Sequence, residues 1–480
     1  MNDMRGMGKM MIAALAMLGG IASAFAGSEV AGRVTCGSEG LPGVMVTDGY
    51  SCVVTDGEGR YSMELDGDAR FVYVSTPSGY LPVEEKTVPQ FYIPVENGRT
   101  EYNFELAKNP VDDTHHVALV QADVQLTSMQ DLDTYEGLLK DVTDFAAGYR
   151  GKADVFGIDL GDMVGDTPSL FEPYLDVADA MDMPVWRAIG NHDMTYGGRT
   201  FEYSYAKFES LFGPVYYSFN KGKAHYIVLD NCFYVDRDYQ YIGYIDERTF
   251  RWIEQDIALV PADAVVFVLM HIPGNLEKEL AWNTLQSDQT NNIAGLWELL
   301  RGHETHILSG HTHFNWNVCF NDSLMEHNTA AVCGIWWKAP VCMDGTPQGY
   351  GVYEVDGTDV KWIYKSMGYP ADYQLRAYPV GASKEYPGDI IANVWNWDEK
   401  WRVEWLENGK VMGEMTRFEG FDPMAAEICA DKERVQYDWI SPIKTPHLFR
   451  ATPRNASAKI EVRVTDRFGN VYIQKINKQK

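Results

Sequence analysis

Five short apolar runs between residues 117 and 309 each end on a side chain able to bind a metal ion. Val117 to Ala122 runs into Asp123, with Gln125 two residues on. Val155 to Leu160 runs into Gly161-Asp162, and Val185 to Ile189 into Gly190-Asn191-His192-Asp193. Val265 to Met270 runs into His271, and Ile307-Leu308 into Ser309-Gly310-His311-Thr312-His313. Between these runs lie stretches with helical spacing, Leu132, Tyr135, Leu139, Val142, Ala146 and Tyr149 in one, Phe250, Ile253, Ile257 and Val260 in another. The order strand, helix, strand predicts an α/β domain. In such sheets ligands bind in the crevice at the carboxyl ends of the strands. The chain has 11 histidines, and His192, His271, His311 and His313 stand at these ends.

Each motif alone has an ordinary explanation. A Gly-Asp after a strand is usually a turn, and a lone histidine usually packs or hydrogen-bonds. Five in succession, each after an apolar strand, are not accounted for by turns. The ordered set resembles the calcineurin-like metallophosphoesterase superfamily, whose motifs run D-x-H, G-D, G-N-H-[DE], H and G-H-x-H. The resemblance covers residues ~115–365 and implies two packed β-sheets flanked by helices. It implies two divalent metal ions, drawn from Mn, Mg, Fe and Zn. Asp162 matches the carboxylate that bridges them, Asp123 and His313 match ligands of the first, and Asn191, His271 and His311 match ligands of the second. His192 matches the catalytic histidine, oriented by Asp193.

Gln125 departs from the pattern, standing where D-x-H has histidine. Its amide oxygen is a neutral, hard donor, which puts the affinity and identity of the first metal in question; some relatives carry D-x-Q here. The purple acid phosphatase branch places a tyrosine three residues after the G-D aspartate, where this chain has Gly165. The implied chemistry is attack on phosphorus by a metal-activated hydroxide, with the ions clamping the phosphoryl oxygens. No G-x-S-x-G suggests a serine nucleophile.

The flanks read differently. Residues 27–110 are rich in Val, Tyr, Thr and Gly, with strand-like runs at Val44-Met45-Val46, Ser51 to Thr55 and Arg70 to Val74 and no helical period. They predict a small β-sandwich. The α/β region is placed at 111–370. Residues 371–480 return to strand-like runs at Ile390 to Trp397, Trp401 to Trp405 and Ile460 to Val464, predicting a second sandwich. These flanks resemble the transthyretin-like and C-terminal β domains of three-domain exported superfamily members from Gram-negative bacteria.

Residues 1–26 combine Arg5 and Lys9, a short apolar core and Ala24-Phe25-Ala26 before Gly27. This predicts a cleaved secretory signal peptide and a periplasmic or secreted protein; a membrane anchor is the alternative. No later stretch is long and apolar enough to span a membrane. Export permits disulfides. Cys36 with Cys52, and two of Cys319, Cys333 and Cys342, are close enough in sequence to pair; buried thiols are the other reading. There is no C-x-x-C.

Lys and Arg total 41 against 68 Asp and Glu, a net charge of −27. A chain this acidic repels nucleic acid duplexes. Two divalent ions against Asp123 and Asp162 would still leave a locally positive pocket that attracts a small phosphate ester. Trp336 and Trp337 follow the last ligand motif and are placed to shape that pocket or to pack beneath it. Trp395, Trp397, Trp401 and Trp405 fit a sandwich core or a sugar-stacking platform. The leading expectation is an exported dinuclear phosphoesterase acting on a small phosphate mono- or diester. The alternative is a catalytically weak surface or glycan-binding protein that retains the fold, which would bind its partner unchanged by Asp162→Ala.

Overall fold

The computed structural model describes residues 28–476 apart from 199, 237–239, 277–284 and 456. The predicted signal peptide lies outside the described residues. Through the central region the strands of the two large sheets and the two longest helices are, in order, β1 (His115–Gln121), α1 (Met129–Ala147), β2 (Asp154–Asp159), β3 (Val185–Arg187), β4 (Tyr217–Lys221), β5 (Ala224–Val228), α2 (Glu247–Ile257), β6 (Val265–Leu269), β7 (Glu304–Ser309), β8 (Trp316–Asn321), β9 (Leu324–Asn328), β10 (Gly349–Asp356) and β11 (Asp359–Ser366). One sheet has the order β3-β2-β1-β10-β11, the other β4-β5-β6-β7-β9-β8. Strands β1, β2 and β3 run parallel, as do β5, β6, β7 and β9. The five apolar runs of the sequence lie on β1, β2, β3, β6 and β7, and β1, β2 and β6 are buried on both faces as parallel strands require.

The two sheets pack through aromatic rings. Trp186 of β3 stacks on Phe219 of β4 with centroids 4.0 Å apart, and Phe156 of β2 meets Phe219 and Tyr226 edge-on. Each such pair adds about 0.5–1.5 kcal/mol beyond the burial of its area. Helix α1 begins at Ser128, whose hydroxyl accepts from Asp131 N, and buries Leu132, Tyr135, Leu139, Val142 and Ala146, the stripe seen in the sequence. Helix α2 is capped by Asp246, which accepts from Thr249 N. Its most buried positions are Trp252, Ile253 and Asp256; the last accepts from Ser218 Oγ of β4 and contacts the imidazole of His225 in β5. The central region is thus the expected α/β arrangement of two packed sheets with flanking helices.

Residues 28–109 form two four-stranded sheets, one built on Glu29–Cys36 and Arg60–Glu64, the other on Phe71–Val74 and Met45–Thr47, with two short two-stranded ribbons beside them. Beyond residue 370, two four-stranded antiparallel sheets face each other, one containing Ile390–Asn393 and Lys444–Ala451, the other Arg402–Glu407 and Ile460–Thr465. This region also holds a helix, Pro423–Ala430, that the strand-like reading did not foresee. Its stop-start logic is local: Asp422 accepts from Met424 N and Ala425 N, and proline occupies the first turn where its missing N–H costs nothing. All seven cysteines are free thiols, so neither suggested pairing forms. No helix among the described residues is long and apolar enough to cross a membrane.

Candidate metal centre

The predicted ligands follow the carboxyl ends of strands from both sheets. Asp123 and Gln125 follow β1, Asp162 follows β2, Asn191 follows β3, His271 follows β6, and His311 and His313 follow β7. Backbone bonds close these turns on one another: Asp123 N donates to Gly161 O at 3.1 Å, Gln125 N to Asp162 O at 2.7 Å, and Gly310 N to His271 O at 2.9 Å. The approach explains the motif glycines. A Cβ on Gly161 would lie 2.6 Å from Gly190 N and 2.8 Å from His271 Nδ1, and one on Gly190 would overlap the Asp162 carboxylate. Twelve described non-glycine residues have positive φ, and five of them are predicted ligands: Asp123, Gln125, Asp162, His311 and His313. Left-handed backbone is costly for such residues and concentrates where a surrounding structure imposes it.

Asp162 stands at the middle. Its Oδ2 is 3.2 Å from His271 Nε2, and His271 Nε2 is 3.1 Å from Asn191 Oδ1 and 3.2 Å from His311 Nδ1. The donor atoms of Asp162, His271 and His311 all lie within 4.8 Å of one another. His271 donates its other ring N–H to Leu160 O at 2.8 Å, so in the neutral ring Nε2 presents a lone pair to the cluster. On the other side of Asp162, His313 Nε2 is 3.4 Å from Asp123 Oδ1, a buried oxygen with no hydrogen bond. Asp123 Oδ2 accepts from His311 N at 2.9 Å. Lone pairs converging from carboxylate, amide and imidazole in a buried space form a donor set that fits divalent cations.

Three family models tile the chain: the N-terminal domain of calcineurin-like phosphoesterase over residues 28–109, the calcineurin-like phosphoesterase domain over 113–315, and the C-terminal domain of the same family over 326–472. The chain belongs to the calcineurin-like phosphoesterase family. Among solved structures it is similar to a dimetal phosphatase from Danio rerio, at 14% identity and a TM-score of 0.37 over 53% of this chain and 96% of that one. It is also similar to a purple acid phosphatase from yellow lupin seeds, at 12% identity and a TM-score of 0.38 over 68% of this chain and 67% of that one. No curated protein matches the chain.

As a calcineurin-like phosphoesterase the protein is a metal-dependent phosphoric ester hydrolase, and its electrostatics suit that chemistry. Burial alone would raise the Asp162 carboxyl, but the imidazoles of His271 and His192 outweigh it and hold the group ionised. Burial and the neighbouring His271 push His311 well below the usual histidine range, whereas the Asp162 carboxylate outweighs burial at His271 and lifts it to about 9. Gln125 touches the cluster in a different way from the other ligands. Its Nε2 donates to Asp162 Oδ2 at 3.0 Å, and its oxygen, the atom able to ligate, faces Cys333 Sγ at 4.0 Å.

His192 is the predicted site imidazole most open to the cleft, its side chain 36% exposed. Its backbone N–H donates to Asp162 Oδ1 at 2.8 Å. The expectation that Asp193 orients this ring is corrected by the structure. The carboxylate at the ring is Asp166, whose Oδ2 lies 2.9 Å from His192 Nδ1 as a close charge contact rather than an aligned hydrogen bond. Asp193 instead points inward and accepts from Val164 N at 3.1 Å and Gly190 N at 3.0 Å, tying the G-D turn to the G-N-H-D turn. Burial, with the charge of Asp162 nearby, pushes its carboxyl up. Neighbours in sequence diverge here because residues 190–193 form a turn, in which consecutive side chains leave in different directions. For His192 burial is opposed by Asp162 and Asp166, and the balance lifts its pKa above the ordinary value.

Two further residues were not foreseen. Asp166 closes the run Gly161-Asp162-Met163-Val164-Gly165-Asp166, and a second aspartate so soon after a ligand turn was its signal. Cys333 lies 3.8 Å from His313 Nδ1, reached across 20 residues with no local pattern to mark it. Of the two tryptophans after the last motif, Trp337 packs edge-on against Tyr135, and Trp336 stacks on the His313 ring at 4.5 Å. Neither sits on a strand; both lie in the turn that follows β9. The C-terminal tryptophans Trp401 and Trp405 are core residues.

Proposed function

We propose that this protein is an exported phosphoesterase that hydrolyses a small phosphate mono- or diester using two divalent ions. The observation that carries the reading is the convergence of Asp162, Asn191, His271 and His311 beside an accessible His192. Asn191, His271 and His311 would hold one ion, Asp123 and His313 the other, and Asp162 both. Gln125 would join Asp123 and His313 if its amide turned over. When bound, the ions supply Lewis-acid charge to the phosphoryl oxygens and acidify a water. His192 would meet the leaving oxygen from the open side and provide its proton, with Asp166 beside Nδ1 to hold the ring. Asp193 holds the turn that carries Asn191 and His192. The apolar, Ala-x-Ala-ended segment before Gly27 supports delivery to the periplasm or the medium.

The test is turnover of 4-nitrophenyl phosphate and bis(4-nitrophenyl) phosphate with Mn²⁺ or Mg²⁺, before and after chelation, with metal content measured on the same sample. Activity lost on chelation and restored by metal is the expected result. Turnover indifferent to EDTA, or none with any metal, sinks the proposal, and one ion per chain would trace to Gln125. Export is checked separately, by finding a mature chain beginning at Gly27 outside the cytoplasm.

A further inference from the structure

Trp439 is the anomaly of the C-terminal region: a tryptophan 62% exposed where most others are packed. Its ring lies parallel to Tyr437, with centroids 5.7 Å apart and planes at 9°. Both rings meet Trp336 edge-on, Trp439 at 4.8 Å and Tyr437 at 6.0 Å. Trp336 in turn stacks on His313 at 4.5 Å. Two ring contacts therefore connect an exposed indole to a metal-ligand imidazole, a span that the organic part of a phosphate ester can bridge.

The ladder is built rather than incidental. Trp336 and Trp337 both hold positive φ, a conformation that aromatic residues avoid unless the surroundings impose it. A separate small core of Ile335, Val341, Ile428, Val435 and Ile440 seats the loop bearing Trp336 against the segment bearing Tyr437 and Trp439. Lys432 Nζ pins that segment by donating to Asp438 O and Ile440 O, both at 2.9 Å. Rigid aromatic surface at the rim of a site recognises rings through their faces, at little cost in side-chain entropy. The strongly acidic surface rejects further anionic groups on the substrate.

Resting on the phosphoesterase reading above, we infer that Trp439, with Tyr437 and Trp336 behind it, forms a platform for a flat ring on the organic side of the ester, and so selects ring-bearing esters over aliphatic ones. The ring is either an aromatic group or the apolar face of a sugar; both stack on an indole in the same way.

The experiment compares the full-length mature enzyme with Trp439→Ala and Trp439→Phe on phenyl phosphate, a hexose phosphate, and ethyl phosphate as the ringless control. The expected result is a rise of about three- to ten-fold in KM for a ring ester in Trp439→Ala, with kcat held, ethyl phosphate unaffected and Trp439→Phe close to native. The ester that suffers more identifies the ring. Equal losses on ethyl phosphate, or no change on either ring ester, overturns the platform. If no ester is turned over at all, the phosphoesterase reading fails by itself; calorimetric titration with the same three esters then decides the platform, which falls if phenyl and hexose phosphates bind no tighter than ethyl phosphate.

Discussion

The two β regions that flank the catalytic sheets look alike as sequence and are attached in opposite ways. The N-terminal region shares one continuous apolar core with the catalytic domain: Phe91 packs against Tyr217 at 4.5 Å and Trp186 at 5.5 Å. It also closes an exposed edge of both sheets. Val185 N of β3 donates to Thr87 O at 2.8 Å, and Asn220 N of β4 donates to Thr76 O at 2.8 Å. Unpaired edge strands invite aggregation, and covering them removes the hazard. The C-terminal region has a core of its own around Trp405, Phe449 and Val462. It meets the catalytic domain through a small separate apolar cluster, in which Ile335 and Val341 pack with Ile428 and Ile440, and through polar anchorage: buried Asp344 accepts from Asn315 N and Thr346 N and contacts His447 Nε2 at 3.2 Å. What it holds are the loops after the last ligand motif, those bearing Cys333 and Trp336. One flank therefore belongs to the folding unit and the other to the rim of the site.

Neither flank supplies the central carboxylate, so its loss sets the largest effect against which they are read. Asp162→Asn is expected to lower metal-dependent turnover by about 10³-fold or more with the thermal unfolding profile retained, as seen by circular dichroism. Next comes the contrast itself. Phe91→Ala should cost about 3–5 kcal/mol and lower the main unfolding transition, because it cuts the shared core. Trp405→Ala should cost a similar amount but detach an earlier transition in calorimetry, leaving the main one in place; a single merged transition in both variants would break the contrast.

Within the site, Asp166→Asn should reduce kcat by about 10–100-fold with KM little changed, through its hold on the His192 ring. Asp193→Ala should act first on stability, by about 1–3 kcal/mol for each buried N–H it strands, measured by urea unfolding. The reverse ranking would restore Asp193 as the orienting group.

The smallest expected effect concerns the N-terminal seam, where Arg70 pairs with Glu209. Burial lifts Glu209 to about 7 despite Arg70 and Arg248, and lifts the nearby Asp230 to about 8. Both carboxyls hold their protons more tightly folded than unfolded. Their contribution to stability is complete below about pH 4 and is lost as pH rises through 7 to 8. The melting temperature should fall over that interval, and Glu209→Gln should flatten the fall; an unchanged slope would show that the seam does not titrate.

The strand-end motifs made the α/β core and the convergence of the candidate donors legible, because apolar period and strand polarity are local properties and strands of one sense deliver their ends to one edge. Helix α1 was legible for the same reason, its stripe running from Leu132 to Ala146. The helix at Pro423–Ala430 was not, since eight residues amid strands carry too short a period to register.

What the chain alone determined was the kind of chemistry: which donors exist, that they close strands, and that glycine must stand beside them where turns touch. What only the folded structure decided was partnership. Asp166 rather than Asp193 reached His192, Cys333 came to His313, and Tyr437 and Trp439 came to Trp336 from about 100 residues away. Sequence order fixes where a side chain leaves the backbone, but the packing of turns and layers fixes the direction in which it leaves and whom it meets.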